Sequence, residues 1–182
     1  MNNALIEKIS DLSKFNSKLI NLYIIKFYKA IIRSKDEIFV QYLIKKELLK
    51  TSGGKYVIPT LLENELKQSR FIEQIMVVGE GEKMPAALIQ PNFEFVRDWI
   101  ERKEKDVGTS EEEIANSEII QKRIQKEVDK CNQKFGKWEQ IKRFELTPDV
   151  WSIDGGHLTP TMKMKRSVIK NIYIDLYNKI YE

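Results

Sequence analysis

At 182 residues, 42% hydrophobic and 32% charged, the chain has a globular composition with room for one domain, an extension and a sizeable core, which excludes a disordered protein. A net charge of +4 is too mild to imply a nucleic-acid binder, and a single cysteine, Cys131, excludes an intramolecular disulfide. The longest apolar run, residues 19–32, is broken by Asn21, Lys26 and Lys29 and is too short and too charged to span a bilayer. With no cleavable signal peptide in view, a cytoplasmic location is expected, and peripheral membrane contact stays open.

Residues 1–43 read as a helical extension. Leu5, Ile9, Leu12, Leu19 and Leu22 recur at helical spacing, Ile24 to Ile32 widen the apolar face, and no glycine or proline precedes Gly53. Such a face must pack on something, a partner or a second copy. From Gly53 onward the punctuation is that of an α+β unit. Ser52-Gly53-Gly54-Lys55 is a tight turn. Pro59 followed by Thr60-x-x-Glu63 predicts a capped helix to about Ser69, with Glu63 as the reciprocal cap.

Ile72–Val78 and Ala86–Gln90, separated by a segment containing Gly79, Gly81 and Pro85, predict a hairpin. A helix carrying Phe93, Val96, Trp99 and Ile100 follows Pro91. Ser110-Glu111-Glu112-Glu113 is a second capping box, and Ile114, Ile120, Ile124 and Val128 carry one helix to about Lys134 before Gly136 stops it. Residues 141–146 read as a third strand and residues 167–181 as a terminal helix. Together these predict a small, largely antiparallel sheet of about three strands flanked by helices.

Two stretches carry chemistry. The first, Leu158-Thr159-Pro160-Thr161-Met162-Lys163-Met164-Lys165-Arg166, sets a hydroxyl-rich turn against a lysine that can reach a phosphate or carboxylate as a compact point charge. By itself it reads equally as a basic shoulder on a surface helix. The second runs Lys45-Lys46-Glu47-Leu48-Leu49-Lys50-Thr51-Ser52-Gly53-Gly54-Lys55.

In that order and separation, the two stretches resemble the C-terminal domain of AMP-forming acyl-CoA synthetases, best the long-chain fatty acid–CoA ligases. The resemblance covers residues 44–182, through Leu62-Glu63-Asn64, Phe71 to Gly79 and Ala86 to Pro91. It implies that Lys163 bridges the acyl carboxylate and ATP during adenylation, with Thr159, Thr161, Lys165 and Arg166 supporting its loop. It also implies that Ser52, Gly53, Gly54 and Lys55 approach the pantetheine arm of coenzyme A, and that Lys46 is the hinge between the two orientations.

ATP, coenzyme A and Mg2+ are implied as cofactors, held mainly by a large adenylation domain that these 182 residues lack, with a fatty acid or acyl-adenylate as substrate. The sequence departs from the family pattern at Leu43-Ile44, where an arginine that contacts the nucleotide is usual; isoleucine cannot donate a hydrogen bond.

The chain therefore reads as a ligase lid domain inactive alone. The alternative is a non-enzymatic module or remnant that docks on a separate adenylating domain or self-associates through residues 1–43. A third reading makes Lys163, Lys165, Arg166 and Lys170 a nucleic-acid contact, but no aromatic stacking set accompanies them. His157, the only histidine, has no ligand cluster around it, so no metal site is expected; Cys131 reads as an inert thiol.

Overall fold

The computed structural model describes residues 48–182. The helical extension expected over 1–43, the hinge at Lys46 and the departure at Ile44 lie outside the described residues. A two-stranded ribbon opens the fold, β1 (Leu49–Lys50) pairing antiparallel with β2 (Tyr56–Val57) around the glycine turn. Thr51 closes the turn: its N–H donates to the Lys55 carbonyl at 2.9 Å and its Oγ1 accepts the Lys55 N–H at 3.2 Å. Gly54 sits at φ +73°, a conformation that favours glycine.

Helix α1 (Pro59–Leu66) starts with proline in its first turn, where a missing N–H costs nothing. That placement makes Ile58 the N-cap, and its side chain has no acceptor to offer. The capping box expected from Thr60 and Glu63 is therefore not formed. The helix also stops short of Ser69.

The hairpin forms where expected, β3 (Ile72–Val78) antiparallel to β4 (Ala86–Pro91). Gly79 turns it at φ +133°, and a Cβ there would stand 2.7 Å from the Met84 carbonyl oxygen. Strand β4 is buried along its whole length because both faces of the sheet are covered, which explains an apolar run without alternation. On one face Ile75, Val77, Ala87 and Ile89 join Leu62, Leu66 and the apolar sides of α2 (Phe93–Arg102), α3 (Glu111–Asn116) and α4 (Glu118–Asn132). On the other, Met76, Val78, Ala86 and Leu88 pack on Trp151, Ile169, Tyr173, Tyr177 and Ile180.

Asn92 caps α2 by accepting the Phe95 N–H at 3.0 Å, and Ser110 and Glu113 form the expected capping box of α3. The hydrogen bonds from Ser110 hold the Glu113 carboxyl below its ordinary value. The single helix expected from Ser110 to about Lys134 is two helices, α3 and α4, because Ser117 is extended (φ −75°, ψ 122°). The bend lets Ile114 and Ile120, Ile124 and Val128 face one core. Cys131 ends that stripe, and burial pushes its thiol up to about 12, consistent with an inert group.

Strand β5 (Arg143–Leu146) runs parallel to β4, giving the order β3-β4-β5. The chain reaches it by a crossover through α2, α3 and α4, which a parallel pair requires. The sheets are thus largely antiparallel, as expected, with this one pairing the exception. The terminal helix expected over 167–181 is α5 (Arg166–Ile172) and α6 (Ile174–Tyr181), interrupted at Tyr173, whose ring turns into the second core. Among the described residues no helix is long and apolar enough to cross a membrane, and no group of three or more His, Cys, Asp or Glu could hold a metal ion.

Candidate functional site

The lysine stretch is an ordered loop. Thr159 to Met162 form a β-turn closed by the Met162 N–H donating to the Thr159 carbonyl at 2.8 Å, with Pro160 in the second position that its ring favours. The Thr159 N–H donates to the Lys163 carbonyl at 2.8 Å and its Oγ1 accepts the Lys163 N–H at 3.0 Å, while Leu158 bridges Met164 across the base. Thr159 and Thr161 share a hydroxyl contact of 3.1 Å. Met162 takes a positive φ of 60°, uncommon without glycine, and the residue is 62% exposed at the tip. Every main-chain bond of the loop leaves the Lys163 side chain pointing free. Its ammonium has no partner among the described residues.

Arg166 behaves oppositely. Its Nη2 donates to both carboxylate oxygens of Glu63 at 2.7 Å, and its Nη1 donates to the Val77 carbonyl at 3.2 Å. Glu63 is buried, 5% exposed at its side chain, and also accepts the Val77 N–H at 2.8 Å. This clamp ties the start of α5 to α1 and β3, so the Arg166 charge is committed inside the domain. Lys165 is exposed, and its N–H donates to the His157 carbonyl at 2.9 Å.

The glycine turn is held by the β3–β4 turn: Ser52 N–H donates to the Glu82 carbonyl at 2.8 Å, Gly81 N–H to the Lys50 carbonyl at 2.8 Å, and Lys50 N–H to Glu80 Oε2 at 2.8 Å. Ser52, Gly53, Gly54 and Lys55 are exposed. A Cβ on Gly53 would meet nothing within 4 Å, so neither packing nor φ demands glycine there. No hydrogen bond among the described residues links the two loops directly. Both hang from the α5–α6 pair, the glycine turn through Glu82, which accepts the Tyr177 hydroxyl at 2.9 Å, and the lysine loop through Tyr173. Burial and the Glu82 bond push the Tyr177 phenol up to about 12. A groove of about 370 Å3, lined in part by Leu48, Pro59, Gly79, Arg166 and Lys170, lies where β1, α1 and α5 meet.

A model of the AMP-binding enzyme C-terminal domain matches residues 46–182. The chain belongs to this family. Long-chain-fatty-acid–CoA ligase FadD15 of Mycobacterium tuberculosis is 34% identical over 137 residues, covering 75% of this chain and 23% of that protein. Human long-chain-fatty-acid–CoA ligase 1 is 30% identical over 140 residues, covering 75% and 20%. The chain thus spans less than a quarter of the length of these curated relatives.

The fold of this C-terminal domain recurs in solved structures. It is similar to the adenylation domain of a carboxylate reductase from Mycobacterium chelonae, with a TM-score of 0.60, 19% identity and coverage of 75% of this chain and 19% of that one. It is equally similar, at 0.60 and 21%, to the A domain of a carboxylic acid reductase from Segniliparus rugosus in complex with AMP and a co-purified carboxylic acid, covering 75% and 20%.

Two residues of this AMP-binding enzyme C-terminal domain carry more of the site than their sequence context suggested. Glu63 was expected to cap a helix and instead clamps Arg166; its position beside Leu62 and three before Leu66, on the buried face of α1, is the signal that it needs a buried partner. His157, read in the sequence only as a histidine without a ligand cluster around it, is buried beneath the lysine loop.

Proposed function

We propose that residues 44–182 form the lid domain of a long-chain fatty acid–CoA ligase, in which Lys163 serves acyl-adenylate formation and the turn at Ser52, Gly53, Gly54 and Lys55 faces coenzyme A in the thioester step. The observation that carries this reading is the Lys163 ammonium, without a partner among the described residues, on a turn closed by hydrogen bonds, beside an arginine already neutralised by Glu63. A preorganised cation without a counter-charge suits two anions, a carboxylate and an α-phosphate, that must be held together while charge shifts between them. The open space over Gly53 is consistent with close backbone approach by an extended amide arm. ATP and coenzyme A supply the adenylyl leaving group and the acceptor thiol. On this reading Mg2+ belongs with the ATP bound by the large domain; among the described residues no group of three or more His, Cys, Asp or Glu could hold a metal ion.

Lys163 alone gives neither substrate positioning nor most of the charge stabilisation. The isolated chain is therefore expected to release no pyrophosphate from ATP and palmitate above a Lys163→Ala control. Release above that control would show that the chain carries its own ATP and acyl sites. The lid boundary is a second expectation. Both core clusters among the described residues are built between Leu49 and Ile180, so deletion of residues 1–43 should leave a domain that melts in one cooperative transition. Loss of that transition in a calorimetric scan would move the boundary upstream.

A further inference from the structure

His157 is the only histidine of the chain, and the chemistry assigned to Lys163 makes no use of it. It is nonetheless 6% exposed and bonded at both ring nitrogens. The Ser152 N–H lies 3.4 Å from Nδ1, Nε2 lies 3.2 Å from the Tyr173 hydroxyl oxygen, and that hydroxyl donates to Asp149 Oδ2 at 3.1 Å. A main-chain donor facing Nδ1 requires a lone pair there, which assigns the imidazole proton to Nε2. Nε2–H then donates to the Tyr173 oxygen, and the tyrosine proton goes on to Asp149. One orientation of the chain satisfies every group.

The surroundings are shaped to the ring. Trp151 and Tyr173 lie within 8° and 16° of its plane, with centroids 6.4 and 6.0 Å away. A Cβ on Gly155 would stand 2.6 Å from Nδ1, so the Asp154-Gly155-Gly156 turn closes over the imidazole only because residue 155 has no side chain. His157 also fastens the loop through its main chain: its carbonyl accepts the Lys165 N–H at 2.9 Å, joining the two stems that carry Lys163.

We propose that His157 is a positioning residue for Lys163, its Nε2–H imidazole anchoring the first stem of the lysine loop to Ser152 and Tyr173. This rests on the reading of Lys163 as the working cation. The arrangement of the loop itself can be tested without it.

The test uses the full chain. Long-range proton–nitrogen correlation of the single imidazole should show the Nε2–H tautomer at neutral pH. His157→Leu removes the acceptor of the Ser152 N–H and the donor to Tyr173. It should speed amide exchange of Thr159, Met162 and Lys165 by about tenfold, the scale of one hydrogen bond, with Ile75 and Leu88 in the sheet unchanged. His157→Gln, which carries both an acceptor and a donor, should restore part of the protection.

An Nδ1–H tautomer, no change in exchange at the loop, or equal acceleration in β3 and β4 would each overturn the proposal. If His157→Leu fails to fold, the tautomer and the His157→Gln exchange rates still decide it. Lys163→Ala in the same chain should leave these rates unaltered. A Lys163→Ala substitution silent in a complete ligase would overturn the lysine's role while leaving the exchange result intact.

Discussion

In a fusion of residues 44–182, carrying Ile44→Arg, behind the large domain of a close long-chain fatty acid–CoA ligase, Lys163→Ala is expected to lower acyl-adenylate formation by about a hundredfold or more, the scale of removing one preorganised charge from a transition state. Thr159, Met162 and Lys163 bond one another through main-chain and hydroxyl groups, so the ammonium arrives on a fixed stem and has no partner among the described residues. In water that charge is worth little; closed against a large domain, with solvent displaced, it acts at a much lower effective dielectric.

Thioester formation from pre-made acyl-adenylate should change little, since the glycine turn and the lysine loop are separate elements with no hydrogen bond between them among the described residues. Lys165→Ala should act weakly. Pyrophosphate release and acyl-CoA formation, measured separately, check each half. Equal loss in both would indicate a folding defect, and loss with Lys165→Ala alone would shift the register of the motif by two residues.

The second large effect concerns stability. Arg166→Met is expected to cost about 3 kcal/mol, because it strands the Glu63 carboxylate, 5% exposed, with a single remaining donor at Val77. The low end of the range for a broken buried pair applies because the Arg166 side chain is 41% exposed and water can partly replace it. For a domain of this size the melting temperature should fall by roughly 6–12 °C. Glu63→Leu combined with Arg166→Met should recover most of that loss, since removing both partners leaves no orphaned charge. Thermal melts of the two variants decide the matter. An Arg166→Met protein that melts like the parent would mean that the clamp holds nothing.

Neither Glu63→Leu with Arg166→Met nor His157→Gln removes the Lys163 ammonium. The two anchors grip opposite stems of its loop, Arg166 just beyond Lys165 and His157 just before Leu158. Their effects on the fused enzyme should therefore appear in the rate of adenylation, through the position of Lys163.

What the sequence determined by itself was set between near neighbours, except at α1, where Pro59 in the first turn makes Ile58 the N-cap and the box of Thr60 and Glu63 does not form. Ser110 and Glu113 announce their capping box because the bonds close over three residues. Pro160 marks the β-turn, and the glycines mark the ribbon and hairpin, because backbone conformation there is decided by the residue in place. The lysine and glycine stretches were legible for the same reason: each is a contiguous string. The packing decided the rest. Ile114, Ile120, Ile124 and Val128 keep an apolar stripe in one helix or in two, and the break at Ser117 shows only where they pack into one core. The parallel direction of β5 shows only in its pairing with β4. Glu63 and Arg166 are 103 residues apart, and His157 and Tyr173 sit on different elements. No local spacing could report those pairs, because burial alone makes an unpaired carboxylate or imidazole costly enough to select its partner, and burial is a property of the assembled fold.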